Sequence, residues 1–189
     1  MVDIEAAQGT EEISSARLSR LSGFSAPQVR RDLAYFGSFG KRGVGYAVEE
    51  LQDAIRKILG TDKPLNLAMV GVGNLGRALL AYRGFVRQES RFVVAFDADA
   101  RKIGSNITGV PVKPVAKMPQ LLKDYRVNLA IIAVPVSEAQ SVIDNVVKGQ
   151  VRAILNFAPR VLEAPVGVII SNVDLAVEVE YLSYSLAHG

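Results

Sequence analysis

The sequence predicts an α/β chain in which a small helical unit precedes a parallel, doubly wound sheet and a terminal helix. Three observations carry this reading. The composition changes near Gly60, from helical periodicity with one glycine cluster to short β-branched runs alternating with helical stretches. The segment Gly71-Val72-Gly73-Asn74-Leu75-Gly76 sits between an apolar run and a helical stretch. Apolar runs such as Leu129 to Val134 are continuous rather than alternating, as in strands covered on both faces.

The bulk properties exclude several classes. The chain has 189 residues and 49% apolar content, enough for two small domains with real cores. No run of 18 uncharged apolar residues occurs, so no membrane span is expected. Met1 to Glu12 carries four acids and no basic region before an apolar stretch, which is unlike a secretory leader. Cysteine is absent, which rules out disulfides and thiolate metal sites and suits a cytoplasmic setting. Net charge is +3, yet Arg17 to Arg42 holds six basic residues and one acid, a local +5. Such a stretch is either a footprint for phosphates or a solvated face.

The first unit is expected over residues 1–60. Ile13 to Leu21 reads as a short helix with Ile13, Leu18 and Leu21 inward, and Ser22-Gly23-Phe24 as a turn. Ser25 is the expected N-cap of a second helix running to Phe36, with Gln28 completing a capping box and Pro27 in the first turn. Its inward face is Val29, Leu33 and Phe36, which leaves Gln28, Arg30 and Arg31 outward. Two helices joined by a short glycine turn form a helix-turn-helix. Gly37 to Tyr46 reads as a β-hairpin wing with Lys41 and Arg42 at its tip, or as a linker. Val48 to Leu59 is a helix facing inward through Leu51, Ile55, Ile58 and Leu59, stopped by Gly60. A winged-helix fold of this kind would place Ser25, Gln28, Arg30, Arg31, Lys41 and Arg42 against double-stranded DNA.

The second unit is expected over residues 61–172. Strands are read at Leu65–Val70, Phe92–Phe96, Val110–Val112, Leu129–Val134, Val151–Leu155 and Val166–Ile170. Helices are read at Asn74 to about Gln88, Met118 to Tyr125, and from a Ser137/Gln140 capping box to Gly149. The final stretch, 173–189, forms an amphipathic helix with Leu175, Val179, Leu182 and Leu186 in one stripe.

The glycine motif carries the chemistry. Gly71 permits the tight turn, Gly73 the approach of a pyrophosphate, and Gly76 close helix–strand packing. Val72, Asn74 and Leu75 complete the loop. Asp97 ends the next strand, where its carboxylate accepts ribose hydroxyls and repels a 2′-phosphate, so NAD(H) is expected over NADP(H). Asp97 could instead cap the turn that follows, and Arg101 and Lys102 raise the opposite preference. Ala133-Val134-Pro135 and Asn156-Phe157-Ala158-Pro159 lie beyond strand ends, near the cofactor's far half. Catalytic machinery is not visible. The one histidine, His188, is penultimate, and none of the six tyrosines has a lysine four residues later.

Taken in order, Val29-Arg30-Arg31-Asp32-Leu33, Tyr35-Phe36-Gly37, Arg42-Gly43-Val44-Gly45-Tyr46, Gly71 to Gly76, Ala95-Phe96-Asp97, Ile154 to Pro159 and Asn172 to Ala176 resemble the Rex family of bacterial redox-sensing repressors. The resemblance implies a homodimer with each C-terminal helix exchanged into its partner. It implies binding of a palindromic operator when NADH is scarce and release when NADH accumulates. It also implies that Tyr82 and Asp174 link the nicotinamide pocket to the DNA-binding domains. Family members usually begin with a further helix ahead of the point where this sequence starts. A competing reading, a small NAD-dependent oxidoreductase or a cofactor-binding subunit, accounts for residues 61–172 but leaves the capped basic helix without a role.

Overall fold

A computed structural model describes residues 2–37, 40, 44–85, 90–159 and 162–189. It divides into two units, Met1–Lys63 and Pro64–Gly189.

In the first unit a helix that periodicity did not reveal, α1 (Val2–Ala7), packs on α4 (Val48–Leu59). Between them lie β1 (Glu12–Ile13), α2 (Ser15–Ser22), α3 (Ala26–Phe36) and β2 (Tyr46–Ala47). Ile13 is therefore a strand residue, not the first turn of a helix. Ser14 caps α2 by accepting the Arg17 N–H, which moves the helix start past Ile13. Ile13 pairs with Tyr46 in an antiparallel ladder, so the described partner of Tyr46 is this distant strand rather than the opposite arm of a hairpin. Residues 38–39 and 41–43, which hold the expected wing tip, lie outside the described residues. Ile13, Leu18, Tyr46, Val48 and Leu51 form the core, with Val29, Leu33 and Ile55 against it. Phe36, Ile58 and Leu59 are exposed instead of inward, since each lies in the last turn of its helix beyond that small core.

The second unit is built on seven strands among the described residues: β3 (Asn66–Val70), β4 (Arg91–Asp97), β5 (Asn106–Ile107), β6 (Val110–Pro114), β7 (Leu129–Ile132), β8 (Ala153–Asn156) and β9 (Ile169–Asn172). Their spatial order is β5-β6-β4-β3-β7-β8-β9. All neighbours are parallel except β5 and β6, a short hairpin at the edge. From β3 the chain steps outward through β4 to β6, then returns to build β7, β8 and β9 on the other side. The crevice between β3 and β7 is thus the topological switch point, where doubly wound sheets hold ligands. Residues such as Ala68, Val70, Phe96, Ile132 and Ile143 fill one face, and Met69, Ala95, Val112 and Ile131 the other.

The helices are α5 (Asn74–Leu80), α6 (Met118–Asp124), α7 (Val136–Lys148) and α8 (Leu175–His188). α5 stops well before Gln88, closing on Ala81. α7 starts after Pro135, so Ser137 lies inside its first turn and caps nothing. Gln140 instead bonds Asp144 and the Glu163 backbone. Val166 is not a strand residue. The Val168 N–H donates to the Pro165 carbonyl at 3.1 Å, and Gly167 has φ of 92°, a tight turn with glycine where positive φ is required.

Candidate functional site

The glycine loop joins β3 to α5 at the switch point. Gly71 has φ of 92°, and a Cβ there would sit 2.3 Å from the Ala133 carbonyl oxygen. A Cβ on Gly76 would sit 2.0 Å from the Gly71 oxygen. Both positions therefore exclude side chains for packing reasons. Gly73 differs, because a Cβ there meets nothing within 4 Å. Its open side, next to exposed Asn74 and Leu75, is a backbone surface that another molecule can approach. Val72 is fully buried, so only its backbone can take part.

Asp97 closes the loop from the neighbouring strand. Its Oδ2 accepts the Val72 N–H at 2.8 Å, and its Oδ1 accepts the Asp99 N–H at 2.9 Å. Lys102 Nζ donates to the same Oδ2 at 2.9 Å. Burial works against ionisation of Asp97, but the Asp99 amide, the Lys102 ammonium and the Val72 amide outweigh it and hold the carboxyl below its ordinary value. Beside it the Arg101 guanidinium lowers Asp99 to about 2 through a two-pronged ion pair. The carboxylate thus stands at the expected strand end and also caps its turn, so the two sequence readings are compatible.

Val134 packs against Gly71: a Cβ on that glycine would meet Val134 Cγ1 at 2.8 Å. Pro135 is exposed at the start of α7. Backbone bonds from Gly71 to Phe96, Ala133 to Val70 and Phe157 to Ile132 align the carboxyl ends of the four central strands. Asn156 opens the Asn156-Phe157-Ala158-Pro159 segment expected near the cofactor's far half. It is fully buried, donates to the Ala158 carbonyl and to Asn172 Oδ1 at 2.9 Å each, and accepts the Ala158 N–H at 3.0 Å.

In the first unit Ser25 Oγ caps α3 by accepting the Gln28 N–H. The reciprocal half of the expected capping box is absent, since Gln28 Nε2 donates to Asp32 Oδ1 at 2.6 Å. Arg30 and Arg31 are exposed on α3, and Arg30 Nη1 donates to Ser15 Oγ at 2.9 Å. Arg17 is spent elsewhere: Glu5, only 3% exposed, accepts its Nη2 at 2.9 Å. The N-terminal acids therefore cancel part of the apparent basic stretch. Lys41 and Arg42 lie outside the described residues.

Tyr82 follows the end of α5, exposed and edge-on to Phe85 with ring centroids 5.4 Å apart. Asp174 caps α8, its Oδ1 accepting the Ala176 N–H at 2.9 Å. No hydrogen bond joins these two described residues within the chain. His188 stacks on Tyr184 at the end of α8.

A glycine-loop Rossmann unit following a capped helix-turn-helix defines the class of protein to which the chain belongs. Residues 62–160 match, and belong to, the family described as the CoA binding domain. The Redox-sensing transcriptional repressor Rex of Carboxydothermus hydrogenoformans is 46% identical over 179 residues, covering 95% of this chain and 86% of that one. The protein of the same name from Syntrophomonas wolfei is 44% identical over 180 residues, with the same coverage. The crystal structure of RSP in complex with β-NAD+ and operator DNA matches with a TM-score of 0.91 and 36% identity, covering 98% of this chain and 85% of that one. RSP in complex with β-NADH matches at 0.84 and 34% identity, covering 98% and 86%. The chain belongs to the Rex family of redox-sensing transcriptional repressors.

Proposed function

We propose that this chain acts in the cytoplasm as a homodimeric, NAD(H)-responsive repressor that holds operator DNA when NADH is scarce and leaves it when NADH binds. The observation that carries the reading is the pairing, in one chain, of a glycine loop with open space over Gly73 and a capped helix exposing Arg30 and Arg31. An oxidoreductase would use the first and has no use for the second, and the family is one of repressors rather than enzymes.

The residues present fit a dinucleotide. The open backbone at Gly73, with Asn74 and Leu75, would receive the pyrophosphate through N–H groups that start α5. Gly71, Val72 and Gly76 shape that loop. Asp97 would receive the adenine-side ribose, and Val134 and Pro135 would flank the nicotinamide half. On α3, Gln28, Arg30 and Arg31 would face the major groove, Ser25 its flanking phosphate, and Lys41 and Arg42 the adjoining backbone or minor groove.

α8 supplies the dimer. Leu175, Val179, Leu182 and Leu186 are 59–87% exposed in the single chain, a stripe that needs a partner surface. Exchange of this helix would bring Asp174, at its start, into the partner's reach, and with Tyr82 it would couple pocket to reading heads. NADH must then prefer the released arrangement. Coupling energies are typically about 1–3 kcal/mol, and two sites per dimer would act jointly.

Selection from a random duplex pool tests this. Recovery of a palindromic sequence, eluted by NADH, is expected. Failure to retain any duplex at low salt contradicts the reading.

A further inference from the structure

The Asp97 carboxylate is already heavily used. A carboxylate offers about four acceptor positions. The Val72 N–H, the Asp99 N–H and Lys102 Nζ take three of them, two on Oδ2 and one on Oδ1. A ribose diol donating twice to one bare carboxylate does not fit that arrangement. One hydroxyl can donate to the remaining position on Oδ1, and the other needs a different partner.

Lys102 is the group in place to serve. Its ammonium has three protons, one of them on Asp97, and no other hydrogen bond of Nζ occurs among the described residues. Its side chain retains 27% exposure while that of Asp97 retains 9%, so of the pair the lysine is the more open to solvent. The charge balance points the same way. Asp97 is matched by Lys102 and Asp99 by Arg101, so this end of β4 carries two anions and two cations. A 2′-phosphate arriving here meets a neutral cluster that includes an ammonium, not an isolated negative charge.

We propose that Lys102 is a specificity-determining residue that meets the adenine-side ribose directly, donating to a hydroxyl of the unmodified sugar or to a 2′-phosphate. This rests on the dinucleotide reading of the pocket. Lys102 thereby limits how far Asp97 can discriminate against the phosphorylated dinucleotide.

Calorimetric titration of the full chain with NADH and NADPH tests it. In Lys102→Met the Kd ratio of NADPH to NADH rises at least tenfold over the unsubstituted protein, and in Lys102→Arg it stays within threefold. An unchanged ratio in Lys102→Met, with NADH still bound, overturns the proposal and leaves the pocket intact. Binding of neither dinucleotide by the unsubstituted protein overturns both. A readout without substitution guards against misfolding of the variant. The 31P titration of bound NADPH should place the 2′-phosphate pKa below its value in free NADPH, as an adjacent ammonium requires. A raised value means that Asp97 dominates and refutes the assignment.

Discussion

Asp97 holds the backbone N–H of Val72 at 2.8 Å, so the acid that ends β4 clamps the glycine loop that follows β3. The group expected to read the ribose also fixes the loop expected to hold the pyrophosphate. Ligand contact and loop geometry cannot be altered independently there.

Replacing Asp97 should therefore cost stability as well as binding. In Asp97→Asn the amide keeps one acceptor and presents an NH2 to a cluster of donors. Hydrogen bonds to charged groups are worth about 1.5–3 kcal/mol each, so a loss of about 2–3 kcal/mol is expected. The pH dependence has a definite sign. Because the folded acid lies below its ordinary 3.8, its contribution is complete above that pH and disappears as pH falls through the lower folded value. Urea unfolding from pH 6 to pH 2 should show a steeper loss in the unsubstituted protein than in Asp97→Asn, where the contribution of Asp99 remains.

Gly73 and Gly76 should separate by phenotype. Gly73→Val adds its side chain to open space, so thermal unfolding should be nearly unchanged while NADH affinity falls at least tenfold, about 1.4 kcal/mol. Gly76→Ala drives a Cβ to 2.0 Å from a carbonyl oxygen and should cost about 3 kcal/mol of stability. Calorimetry with parallel ligand titration distinguishes them.

The cations of the first unit should also separate. Arg31→Ala should reduce the slope of log affinity against log salt for duplex binding by about one, as loss of one phosphate contact does. Arg17→Met should leave that slope alone, because its charge is committed to Glu5. It should instead lower stability by about 1–3 kcal/mol, since the buried Glu5 carboxylate loses its cation and, among the described residues, keeps the Thr10 hydroxyl alone. Fluorescence anisotropy across a salt series and chemical unfolding read the two effects.

A charge on the α8 stripe should dissolve the dimer. Leu182→Asp places a carboxylate at the centre of the face that exchange would bury. Light scattering should give the mass of one chain, and operator affinity should fall at least a hundredfold as the two half-site contacts uncouple.

Much of this molecule was legible in its sequence. α4 runs from Val48 to Leu59 as its periodicity and Gly60 require, and α3 begins after Ser25 as its cap requires. The βαβ unit was readable because long apolar runs and a glycine loop are local signals. What escaped was short, long-range or ambiguous. β1 and β2 contain two residues each and pair across more than thirty positions, which no window detects. Ser137 and Gln140 imitate a capping box, but Pro135 fixes an earlier start with its own φ. The strand expected over Val166–Ile170 starts only at Ile169, because Val166 and Gly167 form a turn in which Gly167 takes positive φ. Around the pocket, Lys102 was seen as a rival to Asp97. Only the folded turn makes it a partner, because Asp99 and its backbone bonds bring Lys102 back over the strand end.

The central claim is that a bound dinucleotide changes the affinity of this chain for a duplex according to its redox state. Anisotropy of the selected operator, titrated with NADH and with NAD+ at one fixed salt concentration, measures this directly. The account predicts release by NADH at concentrations at which NAD+ leaves the complex intact. Equal release by both, or by neither, would contradict it.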